Sequence, residues 1–167
     1  MILIEIKASI FDTLVTFFGI TSLWIFGNIS YLSSVKEIGD SAFENCKSLN
    51  LIELPLAETV YSNAFNGCEA LTTLTLPATI TEVGEYAFYK NEALGTSVTP
   101  NLSNLTKIGA YAFANLSNAV EAKIGKDVTF IGENAFNACY NLMHVTIPSS
   151  VTTIGNSAFY QCLKGAA

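Results

Sequence analysis

A nine-residue phrase written six times constrains this chain more than any other feature. "IGDSAFENC" (residues 38–46), "VYSNAFNGC" (60–68), "VGEYAFYKN" (83–91), "IGAYAFANL" (108–116), "IGENAFNAC" (131–139) and "IGNSAFYQC" (154–162) share one pattern. Their phenylalanines, Phe43, Phe65, Phe88, Phe113, Phe136 and Phe159, are separated by 22, 23, 25, 23 and 23 residues. A near-constant period in the low twenties belongs to a solenoid built of single supersecondary units. No such unit can bury its own apolar face, so each must stack on a neighbour.

The stretch from Leu142 to Phe159, "LMHVTIPSSVTTIGNSAF", gives the frame of one coil. Leu142, Val145 and Ile147 alternate with His144 and Thr146, which is the period of a short strand with one face inward. Pro148 has no N–H to donate and ends the ladder. Val151 and Ile154 turn inward again, and Gly155 frees the backbone for a bend. Asn156 or Ser157 is predicted to cap a short helical turn carrying Ala158 and Phe159.

Leu71, Leu74, Leu76, Pro77, Ile80, Val83, Gly84, Ala87 and Phe88 match this frame in full. The coil from Leu49 has one residue fewer after Pro55 and carries Tyr61 in place of the glycine. The coil of Ala122 and Ile124 has Gly125 in the proline slot. The coil from Leu94 departs most: Ser97 and Thr99 stand where apolar residues belong, and two extra residues follow Pro100. The weakest packing and an outward bulge are expected there. The fold expected is an α/β solenoid. Its strands pair in parallel into one sheet, at roughly 4.8 Å per coil. Short helical turns or loops form the other side, and Phe lies over Phe in the interior.

With 167 residues, 50% apolar and 13% charged, the chain holds enough core for one ordered domain. The net charge is −6, and eight basic residues spread over the whole length give no cationic patch for nucleic acid. His144 is the single histidine, and no C-x-x-C, H-E-x-x-H, G-x-S-x-G or P-loop accompanies it. No acid, base or nucleophile set converges, so neither an enzyme nor a cofactor or metal site is expected. Cys46, Cys68, Cys139 and Cys162 each follow the repeat Phe by three residues, where the two middle coils carry Asn91 and Leu116. A slot shared by Cys and Leu reads as a small buried position holding a free thiol. Stacked neighbours such as Cys46/Cys68 or Cys139/Cys162 would also lie roughly 5 Å apart, which is compatible with a disulfide.

The pattern L-x-x-L-x-[LI]-P-x-x-[VI]-x-x-[IV]-G-x-x-A-F-x-x-C resembles the BspA-type leucine-rich repeat over about residues 26–162. "TLTLPATITEVGEYAF" and "HVTIPSSVTTIGNSAF" come nearest to it. The resemblance implies a leucine-rich repeat array. Proteins of that kind are surface or secreted proteins associated with adhesion to host matrix proteins and to other cells. It therefore implies a protein-interaction and adhesion scaffold at the cell surface or secreted. The alternative is a purely structural array that spaces other domains.

Residues 1–25 form a strongly apolar segment ahead of the array of about six coils in 26–167. Three readings stay open for it. It is a signal or anchor segment, a degenerate first coil, or an amphipathic cap. Against an anchor, Asp12 at the centre of a bilayer would cost about 2.5–3.5 kcal/mol. Any membrane association would run through residues 1–26. At the other end, "CLKGAA" brings neither a further strand nor a polar capping coil. A truncated, longer array or self-association through that end is expected.

The outward strand positions of the frame are the candidate ligand-facing surface: Asn28, Ser30, Leu51, Glu53, Thr73, Thr75, Glu121, Lys123, His144 and Thr146. Curved solenoids commonly bind proteins on such a face. Glu121, Lys123 and His144 are its candidates for charged recognition. Tyr86, Tyr89, Tyr111, Tyr140 and Tyr160 flank the repeat phenylalanines and form a second, aromatic stripe.

Overall fold

The computed structural model describes residues 28–29, 35–94 and 104–162. Coils are numbered 1 to 6 by their phenylalanines, from Phe43 to Phe159. Eleven short strands and no helix lie among the described residues. The described strands occupy two positions in the coil. The first is taken by β1 (Asn28–Ile29), β3 (Leu51–Glu53), β5 (Thr73–Thr75), β8 (Glu121–Lys123) and β10 (His144–Thr146). The second is taken by β2 (Glu37–Ile38), β4 (Thr59–Val60), β6 (Glu82–Val83), β7 (Lys107–Ile108), β9 (Phe130–Ile131) and β11 (Thr153–Ile154).

All pairings are parallel and in register from coil to coil. The second position makes a continuous six-stranded sheet, β2-β4-β6-β7-β9-β11; the first makes a three-stranded group, β1-β3-β5, and a pair, β8-β10. The single sheet expected from the sequence is therefore two, and the longer one lies where the frame reads only "x-[IV]-G". Its logic is simple. Ile38, Val60, Val83, Ile108 and Ile131 are β-branched, pleat inward and are fully buried, while the residue before each faces outward. The turn between the two strands begins at the proline slot. Ile80 N–H bonds Pro77 O at 3.2 Å, and Val128 N–H bonds Gly125 O at 3.1 Å, so glycine holds the same turn.

The helical turns are absent. From the repeat glycine to the Cys slot, the backbone is a ribbon of successive turns. In coil 1, Ala42, Glu44 and Cys46 donate to carbonyls three residues back, while Ser41, Phe43 and Asn45 donate to Ser62, Ala64 and Asn66 of coil 2. The positions two before and two after each Phe carry positive φ. Ser41, Asn63, Tyr86, Tyr111, Asn134 and Ser157 lie at 54–57°. Asn45, Lys90, Asn115, Ala138 and Gln161 lie at 57–62°, and Gly67 at 74°. A left-handed residue every fourth position breaks the i→i−4 pattern of a helix and turns alternate N–H groups toward the next coil. Each ribbon thereby bonds its neighbour as a strand would, which satisfies the buried backbone. Asn and Ser accept this conformation at little cost; for Ala it costs about 1–2 kcal/mol. Ala138→Gly is therefore expected to raise stability by about 1 kcal/mol. Ala135→Gly, in the same ribbon without a positive φ, is expected to lower it by about 0.5–1 kcal/mol, both read from urea midpoints.

Inside, Phe43, Phe65, Phe88, Phe113, Phe136 and Phe159 form the expected column. Successive ring centroids are 5.1–5.5 Å apart, with interplanar angles of 3–16°. Leu49, Leu71 and Leu94 recur at one buried slot, Leu54 and Leu76 at another, and Ile52 lies in register with Leu74 against the same core. The extra residues of the coil from Leu94 leave the second sheet intact: Glu82 pairs with Lys107 and Val83 with Ile108. The expected bulge falls in residues 95–103 and the N-terminal segment in 1–25, both outside the described residues. In coil 6 the inward slots are open. Val145, Ile147 and Ile154 are 36%, 42% and 49% exposed, where Ala122, Ile124 and Ile131 of coil 5 are 1%, 6% and 0%.

Candidate protein-binding surface

The candidate positions of the first sheet lie in register from strand to strand. Asn28 lies beside Leu51, and Leu51 beside Thr73; Glu53 lies beside Thr75. Glu121 lies beside His144, and Lys123 beside Thr146. The ten candidates thus fall into two groups, because residues 95–103 between them are outside the described residues, as is Ser30. Glu53, Thr73, Lys123, His144 and Thr146 are exposed, and Leu51 and Glu121 are half-buried. Lys123 pairs with Glu121 of its own strand at 3.3 Å.

Adjacent coils are also tied at their outer edges. Lys36 Nζ meets Glu58 Oε1 at 2.7 Å, and Lys47 Nζ meets Glu69 Oε1 at 2.8 Å. The Glu58 carboxylate raises the Lys36 pKa, first by its hydrogen bond and then by its charge. A threonine ladder that the sequence frame did not single out runs beside the second sheet. The hydroxyls of Thr106, Thr129 and Thr152 donate to Thr81, Thr106 and Thr129 carbonyls at 3.2, 3.3 and 3.1 Å. Its signal was visible as a Thr two residues before Val83, Ile108, Ile131 and Ile154.

The aromatic stripe divides. Tyr86 and Tyr111 stack at 4.6 Å and 5°, Tyr89 meets both edge-on, and Lys90 Nζ lies 5.2 Å from the Tyr89 ring centre. These rings turn faces toward one another, which makes them packing along the ribbon edge. Tyr140 and Tyr160 belong to coils 5 and 6 and are exposed.

The four cysteines are free. Their slot is buried at Cys46, Cys68 and Cys139, as a Cys/Leu exchange implied, and half-buried at Cys162, and three of the thiols also donate. Cys68 Sγ bonds Phe43 O at 3.0 Å, Cys139 Sγ bonds Phe113 O at 3.2 Å, and Cys162 Sγ bonds Phe136 O at 3.2 Å. Asn91 does the same with Nδ2 on Phe65 O at 2.9 Å, although its buried Oδ1 has no partner among the described residues. Burial pushes the Cys68 and Cys139 thiols up to about 12 from an ordinary 9.0. An unfolded thiol ionises near 9.0 while these two keep their protons. Their stabilising effect is therefore complete below that pH and is lost as pH rises toward about 12. Urea midpoints are expected to fall more steeply above pH 9 in the native chain than in a Cys68→Ala/Cys139→Ala variant; parallel curves would refute it.

Among the described residues, no three His, Cys, Asp or Glu side chains group as metal ligands. What the surface offers is a rigid face with like positions repeated at the coil pitch. Residues 21–101 match the model of the BspA type leucine rich repeat region, in six copies. A leucine-rich repeat protein of T. pallidum is similar in structure, with a TM-score of 0.76 and 29% identity over 81% of this chain and 65% of that one. A leucine-rich repeat protein from Bacteroides ovatus ATCC 8483 shares the fold, with a TM-score of 0.61 and 23% identity over 81% of this chain and 41% of that one. The chain thus spans less than two thirds of either solved structure. No curated protein matches it significantly. Residues 21–101 thus carry the pattern of the BspA-type leucine-rich repeats, and the same coil frame continues through Cys162.

Proposed function

We propose that residues 26–167 act as one protein-interaction scaffold, at the cell surface or secreted, that mediates adhesion to matrix or cell-surface proteins. The observation that carries this reading is the in-register stacking of outward residues on a rigid column. It repeats similar contacts at a fixed pitch, and multivalent contact of this kind raises avidity without any one strong site. Leucine-rich repeats are typically protein-interaction scaffolds, which supports the same reading. The ligand-facing set proposed is the one along the first sheet, from Asn28 to Thr146. Membrane association through residues 1–26, and self-association through the open face of coil 6, complete the proposal. Light scattering over a concentration series checks the latter.

Binding of the full chain to immobilised matrix proteins and intact cells tests the reading. The comparison is a variant with Glu53, Thr73, Glu121 and His144 replaced by Ala. Loss of binding by a folded variant is the expected result. Equal binding by both would remove the first sheet as the contact face, and no binding by either would leave the array as a structural spacer.

A further inference from the structure

Charge is not spread evenly along the array. Residues 35–94 hold nine Asp and Glu against three Lys, a formal charge of −6. Residues 104–162 hold three of each and sum to zero; elsewhere Glu5 and Asp12 offset Lys7 and Lys164. The net charge of the whole chain therefore resides in coils 1 to 3. Two of the three lysines there are already engaged, Lys36 by Glu58 and Lys47 by Glu69, and the third lies over Tyr89.

Four of the remaining carboxylates gather where the second sheet meets the ribbon. Glu37 and Glu82 stand on the outward side of β2 and β6, in register with Thr59 between them. Asp40 Oδ1 accepts the Ser62 N–H at 3.0 Å, and Glu85 O accepts the Asn63 N–H at 2.9 Å. The coil 2 segment from Thr59 to Asn63 is thus flanked on both sides by acidic residues, and all four side chains are exposed. At a coil pitch of roughly 4.8 Å, Glu37 and Glu82 are about 10 Å apart, close to one Debye length, so their fields overlap at Thr59, while Lys107, in register beyond Glu82, offsets part of the field on the coil 4 side.

Tyr61 stands in the middle of this segment, 40% exposed. Its position is the glycine slot, held by Gly39, Gly84, Gly109, Gly132 and Gly155 in the other coils. Packing does not ask for a ring there, since the slot is filled elsewhere without any side chain. An aromatic ring edged by carboxylates is a receptor for a cationic side chain.

We propose that the outward face of the second sheet in coils 1 to 3 binds Lys- or Arg-bearing polypeptide segments, with Tyr61 receiving a cationic side chain between Glu37–Asp40 and Glu82–Glu85. The proposal rests on the protein-binding reading, gives its partner a chemistry, and places the contact on a different face. An incoming chain is drawn to the acidic half of the array and finds no such field on coils 4 to 6.

Fluorescein-labelled decalysine, with decaglutamate as control, tests it by anisotropy at low and at physiological salt. Saturable decalysine binding that weakens with salt is expected. Glu37→Gln/Glu82→Gln should weaken it about tenfold, and Tyr61→Gly about fivefold. Tyr61→Phe should bind as the native chain does. Asp127→Asn/Glu133→Gln, in the neutral half, should leave binding unchanged. Tyr61→Gly restores the residue of the other five coils, so its fold is secure, and circular dichroism verifies it. Equal losses in the two halves, indifference to Tyr61→Gly, or no decalysine binding at low salt would overturn the proposal. If matrix binding persists while decalysine fails, this inference falls and the scaffold reading stands.

Discussion

Phe113→Ala is expected to destabilise the array by about 3–5 kcal/mol. The Phe113 ring lies between Phe88 and Phe136, with centroids at 5.5 and 5.4 Å, and is fully buried. Truncation removes the ring's own burial and uncovers one face of each neighbour. The gap cannot close readily, because its walls are backbone held by bonds between the ribbons of successive coils: Phe88 N–H to Ala112 O at 2.8 Å and Phe113 N–H to Ala135 O at 2.8 Å. Stability in such an array is a sum of coil and interface terms, so a defect in coil 4 weakens two interfaces together. Urea unfolding followed by circular dichroism should show the loss, with a broader transition as the two halves uncouple. A change under about 1 kcal/mol would mean that the coils hold without the column.

Gly132→Ala comes next in size. A Cβ at Gly132 would lie 2.5 Å from Ala110 N, 2.6 Å from Gly109 C and 2.8 Å from Ala110 Cα. Every one of these is backbone of the preceding coil, with no flexible side-chain end to move aside. Coils 4 and 5 would have to separate locally, stretching the Gly132 N–H to Ile108 O bond of 2.9 Å and the Thr ladder beside it. The expected loss is about 3 kcal/mol, at the upper end of the usual cost of overpacking. Thr153→Ala, outward on the same sheet, should stay within about 0.5 kcal/mol of the native chain. Comparable melting curves for the two variants would show that the glycine is incidental to the close approach.

Much of this was legible from period and residue type. The spacing of Phe43 through Phe159 predicts coil closure and the ring column. The recurrence of Gly before Ala-Phe predicts a bend, while the close approach of successive coils there emerges only from the structure; the Cys/Leu exchange at 116 predicts a buried slot. The local path between those landmarks was not legible. Asn156-Ser157 before Ala-Phe reads as a helix cap, but the same short polar residues also favour the left-handed region. A period alone does not choose between the two. Tertiary pairing chooses, because a ribbon that bonds its neighbours satisfies more backbone than an isolated turn of helix could. Likewise "Thr-x-Ile-Gly" is too short to announce a strand alone; Lys107–Ile108 becomes one only because β6 and β9 lie on either side. On the candidate surface, the alternation around Leu74 and Val145 located one outward face. Tyr61 was visible as a departure from the frame, but its acidic surroundings come from coils 1 and 3, which only stacking brings alongside it.

The bonds between coils point along the solenoid axis, while the strands that make them run across it. A pull applied to the two ends therefore meets those bonds a few at a time, as a zipper does, and not all together in shear. The array should come apart coil by coil, each freed coil of 23 residues lengthening the chain by about 80 Å at modest force. An array built this way lengthens in steps, and the coils that remain stacked keep their form.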